Sequence, residues 1–463
     1  MASEGVALTF QKYSYFPHNQ EVVAMPMSLD FEKRLFRILP RIMECFGTPV
    51  YAYDEIGIRE TGARVKRAFS GLPGYGEFFA VKALPNPVIM RLMLEMGFGF
   101  DCSSIPELIL ARQVGAGPDQ IMFTSNNTSL AEYEEALAHG GCILNLDDLS
   151  FVAKVPGRFP KRICIRYNPG PRRQGGGHVF GNPEDQKYGV RHDQIVEAYR
   201  LAIERGAEIF GIHTMVISNE LDYSYMVETI KMLLGIIEMV SSELGISFEF
   251  MNIGGGLGIP YKPEDGLFNI ELLGIRAETI LGVFKARHGY QPKLFMESGR
   301  FMTGPHGVLI TRVINRMSKY RELVGVDACM SSLMRPGMYR ASGGGYHHIT
   351  AFGKEGEPTE VVSVVGSLCE NNDQFAVDRE MPVVAESDAL GVNDGGAHAI
   401  AMAFQYNGRL RPPEVLLRAD GNVELIRRRE TVEDLFCTLQ FEPQTLRVHC
   451  AGEPLIEPGD FRS

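Results

Sequence analysis

Between about residues 50 and 305, short runs of aliphatic, aromatic and β-branched residues alternate with stretches whose apolar positions recur every three or four residues. The strand-like runs are 78–83 (FFAVKA), 98–101 (FGFD), 120–124 (QIMFT), 142–146 (CILNL), 162–167 (RICIRY), 208–213 (EIFGIH), 248–253 (FEFMNI) and 293–297 (KLFME). The helical period falls between most of them, over 87–96, 105–114, 130–139, 194–205 and 226–244. Eight alternating units predict an α/β fold with a closed parallel (β/α)8 TIM-like barrel; an open doubly wound sheet is the alternative. Beyond residue 305 the texture changes. Runs such as 307–315 (GVLITRVIN), 360–365 (EVVSVV) and 414–418 (EVLLR) are separated by Gly and Pro and predict an all-β region, a β-barrel or β-sandwich. The first ~45 residues do not fit the barrel period and are expected to complete this second domain. The expected division is therefore a barrel over 48–305 and a β-domain built from 1–47 and 306–463.

Reactive groups in parallel barrels stand at the C-terminal ends of the strands. Lys82 closes the first apolar run and Asp101 the second, with Arg166 near the end of the fifth. His213 closes the sixth, Gly254, Gly255 and Gly256 follow the seventh, and Glu297 closes the eighth. A lysine at the end of a buried strand is costly unless paired or chemically used. In this company it reads as the anchor of an aldehyde cofactor held as a Schiff base. The glycine-rich stretch 170–181 is expected to be a loop at the same end.

Composition narrows the function classes. The formal net charge of −11 argues against nucleic acid or an anionic membrane, which need a basic footprint. No apolar run approaches the ~20 residues that span a bilayer, and residues 1–16 lack the charge and apolar pattern of a signal peptide. The eight cysteines form no CxxC pair, which suits a reducing, cytoplasmic setting and neither a disulfide framework nor a metal site.

A carboxylate at position 297 can serve merely to bond a loop. Facing a pyridine nitrogen, it keeps that nitrogen protonated and makes the ring a strong electron sink, which favours decarboxylation over racemisation. Three glycines let backbone N–H groups approach a phosphate, although a glycine triplet is often only a loop; Ser218 can add a hydroxyl donor. Cys369, in GSLCENND (366–373), lies far from Lys82 in the chain. It can reach the barrel mouth only from the neighbouring domain or from a second subunit.

Taken together, AVKALPNP (80–87), GFGFDCSSIPEL (97–108), NIGGGLG (252–258), ESGR (297–300), MRPGMY (334–339), GSLCENND (366–373) and DGGAHAIAMAFQYNGRLRPPEVL (394–416) resemble the group III pyridoxal-phosphate decarboxylases. These have an alanine-racemase-type barrel plus a β-domain, and the resemblance is nearest to diaminopimelate decarboxylase. It implies pyridoxal 5'-phosphate bound at Lys82, with Glu297 on the pyridine nitrogen. The phosphate would be held by Gly254, Gly255, Gly256, Ser218, Gly299 and Arg300, with Asp101 and Arg166 lining the cofactor site. It implies a homodimer with shared active sites, in which Cys369 from the partner returns a proton to Cα. Arg300, Arg335 and Tyr339 match residues that grip a distal carboxylate, and Glu370 from the partner matches the one that meets a distal ammonium.

Two positions depart from the family pattern. Met215 stands where a ring-stacking histidine is usual, and His398 replaces a tyrosine at the cofactor and substrate. A thioether packs on an aromatic face but carries no charge; an imidazole is shorter than a phenol and its charge depends on pH. The expected reaction is decarboxylation of meso-diaminopimelate to L-lysine. A D-lysine, D-ornithine or secondary-metabolism substrate, a catalytically inactive binding regulator and a racemase are the competing readings.

Overall fold

The computed structural model describes residues 27–173 and 181–442; most of the glycine-rich stretch 170–181 and the chain beyond 442 lie outside them. The first strand, β1 (Val50–Asp54), is followed by the barrel strands β2 (Gly76–Ala80), β3 (Gly99–Cys102), β4 (Ile121–Phe123), β5 (Ile143–Leu146) and β6 (Arg162–Asn168). A short β7 (Val190–Arg191), then β8 (Ile209–His213), β9 (Phe248–Asn252) and β10 (Lys293–Met296) complete the set. Their order is β5-β4-β3-β2-β10-β9-β8-β6, and β5 pairs back onto β6 with Leu144 opposite Ile163. That last pairing closes the barrel and removes the open-sheet alternative.

Local sequence explains the outer helices. Pro87–Glu95 starts on Asn86, whose side chain accepts from the Val88 N–H, with proline at the first helical position. Leu130–Leu137 starts on a Ser129/Glu132 capping box. Tyr223–Leu244 ends on Gly245 at φ 68°, a left-handed conformation that glycine takes without a Cβ clash. Inside the barrel, Phe78, Met122, Ile143, Cys164 and Phe250, one side chain from each of five strands, form a small cluster with Phe295. It is a packed floor beneath the mouth, not a pore.

The second sheet runs β15 (Gln374–Pro382), β14 (Thr359–Val365), β12 (Glu322–Val326), β11 (Gly307–Ser318), β1, β17 (Glu414–Leu417), β18 (Val423–Arg427). β16 (Ala389–Val392) pairs with β11 and with β13 (Ile349–Ala351). The long β11 divides the sheet: its first half pairs with β1 and β16, its second with β12, with a register break between Val313 and Asn315. The helix Leu29–Phe46 lays the stripe Phe31, Leu35, Leu39 and Ile42 onto Val50, Ala52, Val308, Ile310, Val415 and Leu417. At ~1.5–3 kcal/mol per buried large apolar side chain, this stripe holds the helix in place.

The boundary expected at residue 48 is corrected here. Val50–Asp54 belongs to the second sheet, antiparallel to β11 and parallel to β17. An apolar run such as VYAYD suits either sheet, and only long-range pairing decides between them.

Candidate active site

One cavity of about 330 Å³ opens at the C-terminal end of the barrel. It gathers Lys82, Asp101, Arg166, Met215, Ser218, Gly255, Gly256, Glu297, Gly299, Arg300, Arg335, Tyr339 and His398 on one wall surface. Gly254 lies just behind it. Cys369 and Glu370 of the same protomer are exposed and outside it.

Lys82 does not end a strand, as its apolar neighbours suggest. β2 stops at Ala80, and Lys82 sits in a 3-10 turn, Val81–Ala83. The turn buries Val81 and Ala83 and throws Lys82 into the cavity, where its side chain is half-exposed. Gly299 packs directly against this turn: a Cβ there would come within 2.7 Å of Ala83 Cβ. Lys82 Nζ donates to Asp101 Oδ2 at 3.3 Å. Burial works to lower the lysine pKa, but Asp101, Glu297 and Glu107 outweigh it and hold it above its ordinary value. Burial pushes Asp101 up to about 7, with Glu297 adding to the rise and Lys82 opposing it.

Glu297 follows β10 directly. Asn252 Nδ2, from the last residue of β9, donates to its Oε1 at 2.7 Å, and His213 Nε2 donates to Oε2 at 3.3 Å. Burial pushes Glu297 up, but His213, Lys82 and Arg166 prevail and keep it below its ordinary value. Burial lowers His213. The pair is therefore an ionised carboxylate beside a neutral imidazole. Behind them, the buried Glu77 accepts the Ser298 N–H at 2.6 Å and the Tyr75 hydroxyl at 2.7 Å, fixing the turn that carries Glu297 and Arg300.

The glycines after β9 have no room for side chains. A Cβ on Gly254, Gly255 or Gly256 would lie 2.5, 2.3 or 2.5 Å from the carbonyl oxygens of Thr214, Glu297 and Ile217. The loop is thus pressed backbone to backbone, with φ +72° at Gly254 and +95° at Gly256. The Gly255 N–H meets only the Met215 thioether, at 3.2 Å. Sulfur is a weak acceptor that a phosphate oxygen displaces readily.

Arg166 is buried, 3.5 Å from Asp147, 3.1 Å from Asn126 Oδ1 and stacked 3.9 Å above the Tyr188 ring. Arg300 and Arg335, on the same cavity lining, are 7% and 3% exposed. Arg300 donates to the Tyr261 hydroxyl, and Arg335 donates to the Gly344 carbonyl at 3.3 Å. The Arg335 guanidinium lies 5.2 and 5.1 Å from the Tyr261 and Tyr339 rings, and among the described residues its Nε has no partner. Neither arginine makes an ion pair among the described residues. Asp394 is close enough to feel both cations; burial raises its pKa above the ordinary carboxylate value, and the two arginines pull it back down. His398 holds φ +53°, with its N–H on the Ala83 carbonyl at 2.8 Å, and burial keeps its imidazole neutral.

Cys369 lies on a loop shaped by the buried Asp373, whose two oxygens accept the Met330 and Leu368 N–H groups at 2.6 and 2.7 Å. Several residues that line the cavity or stand against its wall were not singled out from the sequence. Thr124 and Asn252 follow the same strand-end rule and were open to it. Tyr188 and Tyr261 come from loops that return to the mouth, which no periodicity announces.

Three observations fit pyridoxal phosphate: a half-exposed amine in the mouth, a buried ionised carboxylate across from it, and a backbone cradle closed to any Cβ. Among the described residues no group of side chains is suited to hold a metal, and no helix is long and apolar enough to cross a membrane. Residues 58–304 match the family model described as the pyridoxal-dependent decarboxylase, pyridoxal binding domain. The protein TabA of Pseudomonas amygdali pv. tabaci is 44% identical over 90% of this chain and 97% of its own. The diaminopimelate decarboxylase of Methanothermobacter thermautotrophicus is 38% identical over 84% of this chain and 91% of its own. A crystal structure of M. jannaschii diaminopimelate decarboxylase with L-lysine superposes with a TM-score of 0.80 at 30% identity, covering 87% of this chain and 94% of that one.

Proposed function

The chain belongs to the pyridoxal-dependent amino-acid decarboxylases of the alanine-racemase fold, and from that premise we propose that it decarboxylates an amino acid with a second carboxylate at its far end, meso-diaminopimelate to L-lysine fitting best. The observation that carries this reading is the arginine pair. Two buried guanidinium groups without a carboxylate partner leave a strong demand for an anion, and arginine meets a carboxylate with a fork of two donors. D-lysine and D-ornithine carry no distal carboxylate and leave that demand unmet.

When bound, pyridoxal phosphate supplies an aldehyde for the substrate amine and a protonated ring that takes up the electron pair released with CO2. Lys82 Nζ would hold the cofactor's aldehyde, and Asp101 Oδ2, 3.3 Å from Nζ, is placed to take up or return its proton. Glu297 would meet the ring nitrogen and favour its protonated form; His213 and Asn252 fix the carboxylate in place. The backbone of 254–256, Ser218 and Gly299 would hold the phosphate. Met215 would pack against the cofactor ring, and neutral His398 lines the same cavity as Lys82 and the arginines. Arg166, turned away by Asp147 and Tyr188, lines the cofactor side.

Arg300, Arg335 and Tyr339 grip the distal carboxylate. In a head-to-tail homodimer the partner subunit's Cys369 donates the proton to Cα, and the partner subunit's Glu370 meets the distal ammonium. The exposure of this cysteine outside its own cavity supports sharing between subunits.

The test is CO2 release by purified enzyme from meso-diaminopimelate and from the D and L forms of lysine and ornithine. Release from meso-diaminopimelate is expected. Release only from the monocarboxylic amino acids would refute the assignment of the arginines.

A further inference from the structure

Behind the arginine pair the cavity does not end. A second chamber of about 220 Å³ shares Ser218, Arg300 and Arg335 with the Lys82 cavity and continues between Tyr261–Asp265 and Gly343–Gly344. At ~30 Å³ per water molecule this is room for about seven waters, or a short chain of as many heavy atoms. A distal carboxylate gripped by the arginines stands at the junction of the two spaces. Diaminopimelate ends there and leaves the second chamber unused.

The chamber's chemistry is specific. Arg335, 3% exposed, stands in the partition with its Nε unpartnered. Lys262 also lines the chamber, while the one carboxylate on the same wall, Asp265, is already engaged by the Lys262 N–H at 3.0 Å. Among the residues that line the chamber, three cations stand against one carboxylate, which favours an anionic occupant. The guanidinium in the partition and the Tyr261 hydroxyl suit a polar, uncharged link such as an amide, whose carbonyl accepts from Arg335 Nε.

Resting on the decarboxylase reading above, we propose that the second chamber is a subsite for an anionic extension of the substrate, so that the enzyme also decarboxylates diamino acids whose far nitrogen carries an acyl group ending in a carboxylate. The amide lies between the arginines and the terminal carboxylate reaches Lys262. The reaction is unchanged: the Cα–carboxylate bond breaks, CO2 leaves, Cα gains one proton, and the acyl group is untouched.

The experiment compares kcat/KM for CO2 release from Nε-succinyl-lysine and Nδ-succinyl-ornithine, as both Cα enantiomers, with their acetyl counterparts and with meso-diaminopimelate. The acetyl compounds keep the amide but lack the terminal carboxylate. The succinyl form of at least one is expected to exceed its acetyl form by about tenfold or more, the scale of one charge-assisted hydrogen bond. Lys262→Ala should cut that succinyl-to-acetyl ratio by about fivefold or more, and Lys262→Arg should retain it. Turnover of meso-diaminopimelate with succinyl and acetyl forms equal, or with neither accepted, overturns the subsite and leaves the decarboxylase reading standing. Release only from plain lysine or ornithine overturns both.

Discussion

Arg335→Met separates binding from stability, because the two should move in opposite directions. The guanidinium is buried without a carboxylate, and leaving such a charge unpaired costs several kcal/mol. Two aromatic faces at 5.2 and 5.1 Å return part of this, about 1–2 kcal/mol each when desolvated, and the Gly344 carbonyl adds a little more. A residual penalty of about 1–2 kcal/mol remains. Methionine is of similar length and its thioether packs well between the Tyr261 and Tyr339 rings. Cofactor-free protein should therefore gain about 1–2 kcal/mol, a rise in Tm of roughly 1–2 °C for a chain of this length. The same change removes one partner of the substrate's distal carboxylate. That should cost about 3 kcal/mol in kcat/KM for meso-diaminopimelate, a loss of roughly 150-fold. Thermal melts of the cofactor-free protein and steady-state CO2 release provide the two readings. If Tm and activity fall together, Arg335 is a structural residue. If kcat/KM stays within about threefold of wild type, the distal carboxylate is held elsewhere.

Lys82→Ala should lose the protein-bound visible absorbance of the cofactor; a band that survives dialysis would remove Lys82 from its role. Mixing separately inactive Lys82→Ala and Cys369→Ala chains should restore roughly a quarter of wild-type activity through hybrid dimers with one intact site, whereas sites built within one chain would restore none. Glu77 is pushed up to about 7 by burial, so the folded state binds its proton more tightly than the unfolded state does. Its contribution to stability is complete below its ordinary value of 4.5 and is lost as pH rises through about 7. Relative to wild type, Glu77→Gln should flatten the decline in stability between pH 5 and 7 by about 2–3 kcal/mol in urea unfolding; parallel pH profiles for the two proteins would show that Glu77 does not titrate there.

The barrel and most of its mouth were legible in the chain because one rule covers both. Strands buried on two faces read as apolar runs, and reactive residues close them. Asp101, His213 and Glu297 follow that rule. Lys82 follows it only loosely: Val81 and Ala83 are apolar because the turn is buried, which looks like a strand until backbone geometry is known. Asp147 follows β5 directly and obeys the same rule, whereas Tyr188 and Tyr261 were hidden for another reason. They reach Arg166 and Arg335 through loop geometry and stacking, which leave no periodic mark. The strand Val50–Asp54 was not read as a strand, and the boundary at 48 left it inside the barrel region, because its neighbours on either side, β11 and β17, come more than 250 residues later.

That strand also imposes an order of events on synthesis. β1 is made near the start, yet both its sheet partners emerge only after the whole barrel has left the ribosome. At ~5–20 residues per second the wait is on the order of tens of seconds. The barrel can close meanwhile from its own consecutive strands, while a hydrophobic segment with two unpaired edges waits beside it under the Leu29–Phe46 helix. A nascent chain truncated before residue 414 lacks one of those partners permanently. Its early strand is then open to another copy's sheet, a route to aggregation created by connectivity alone.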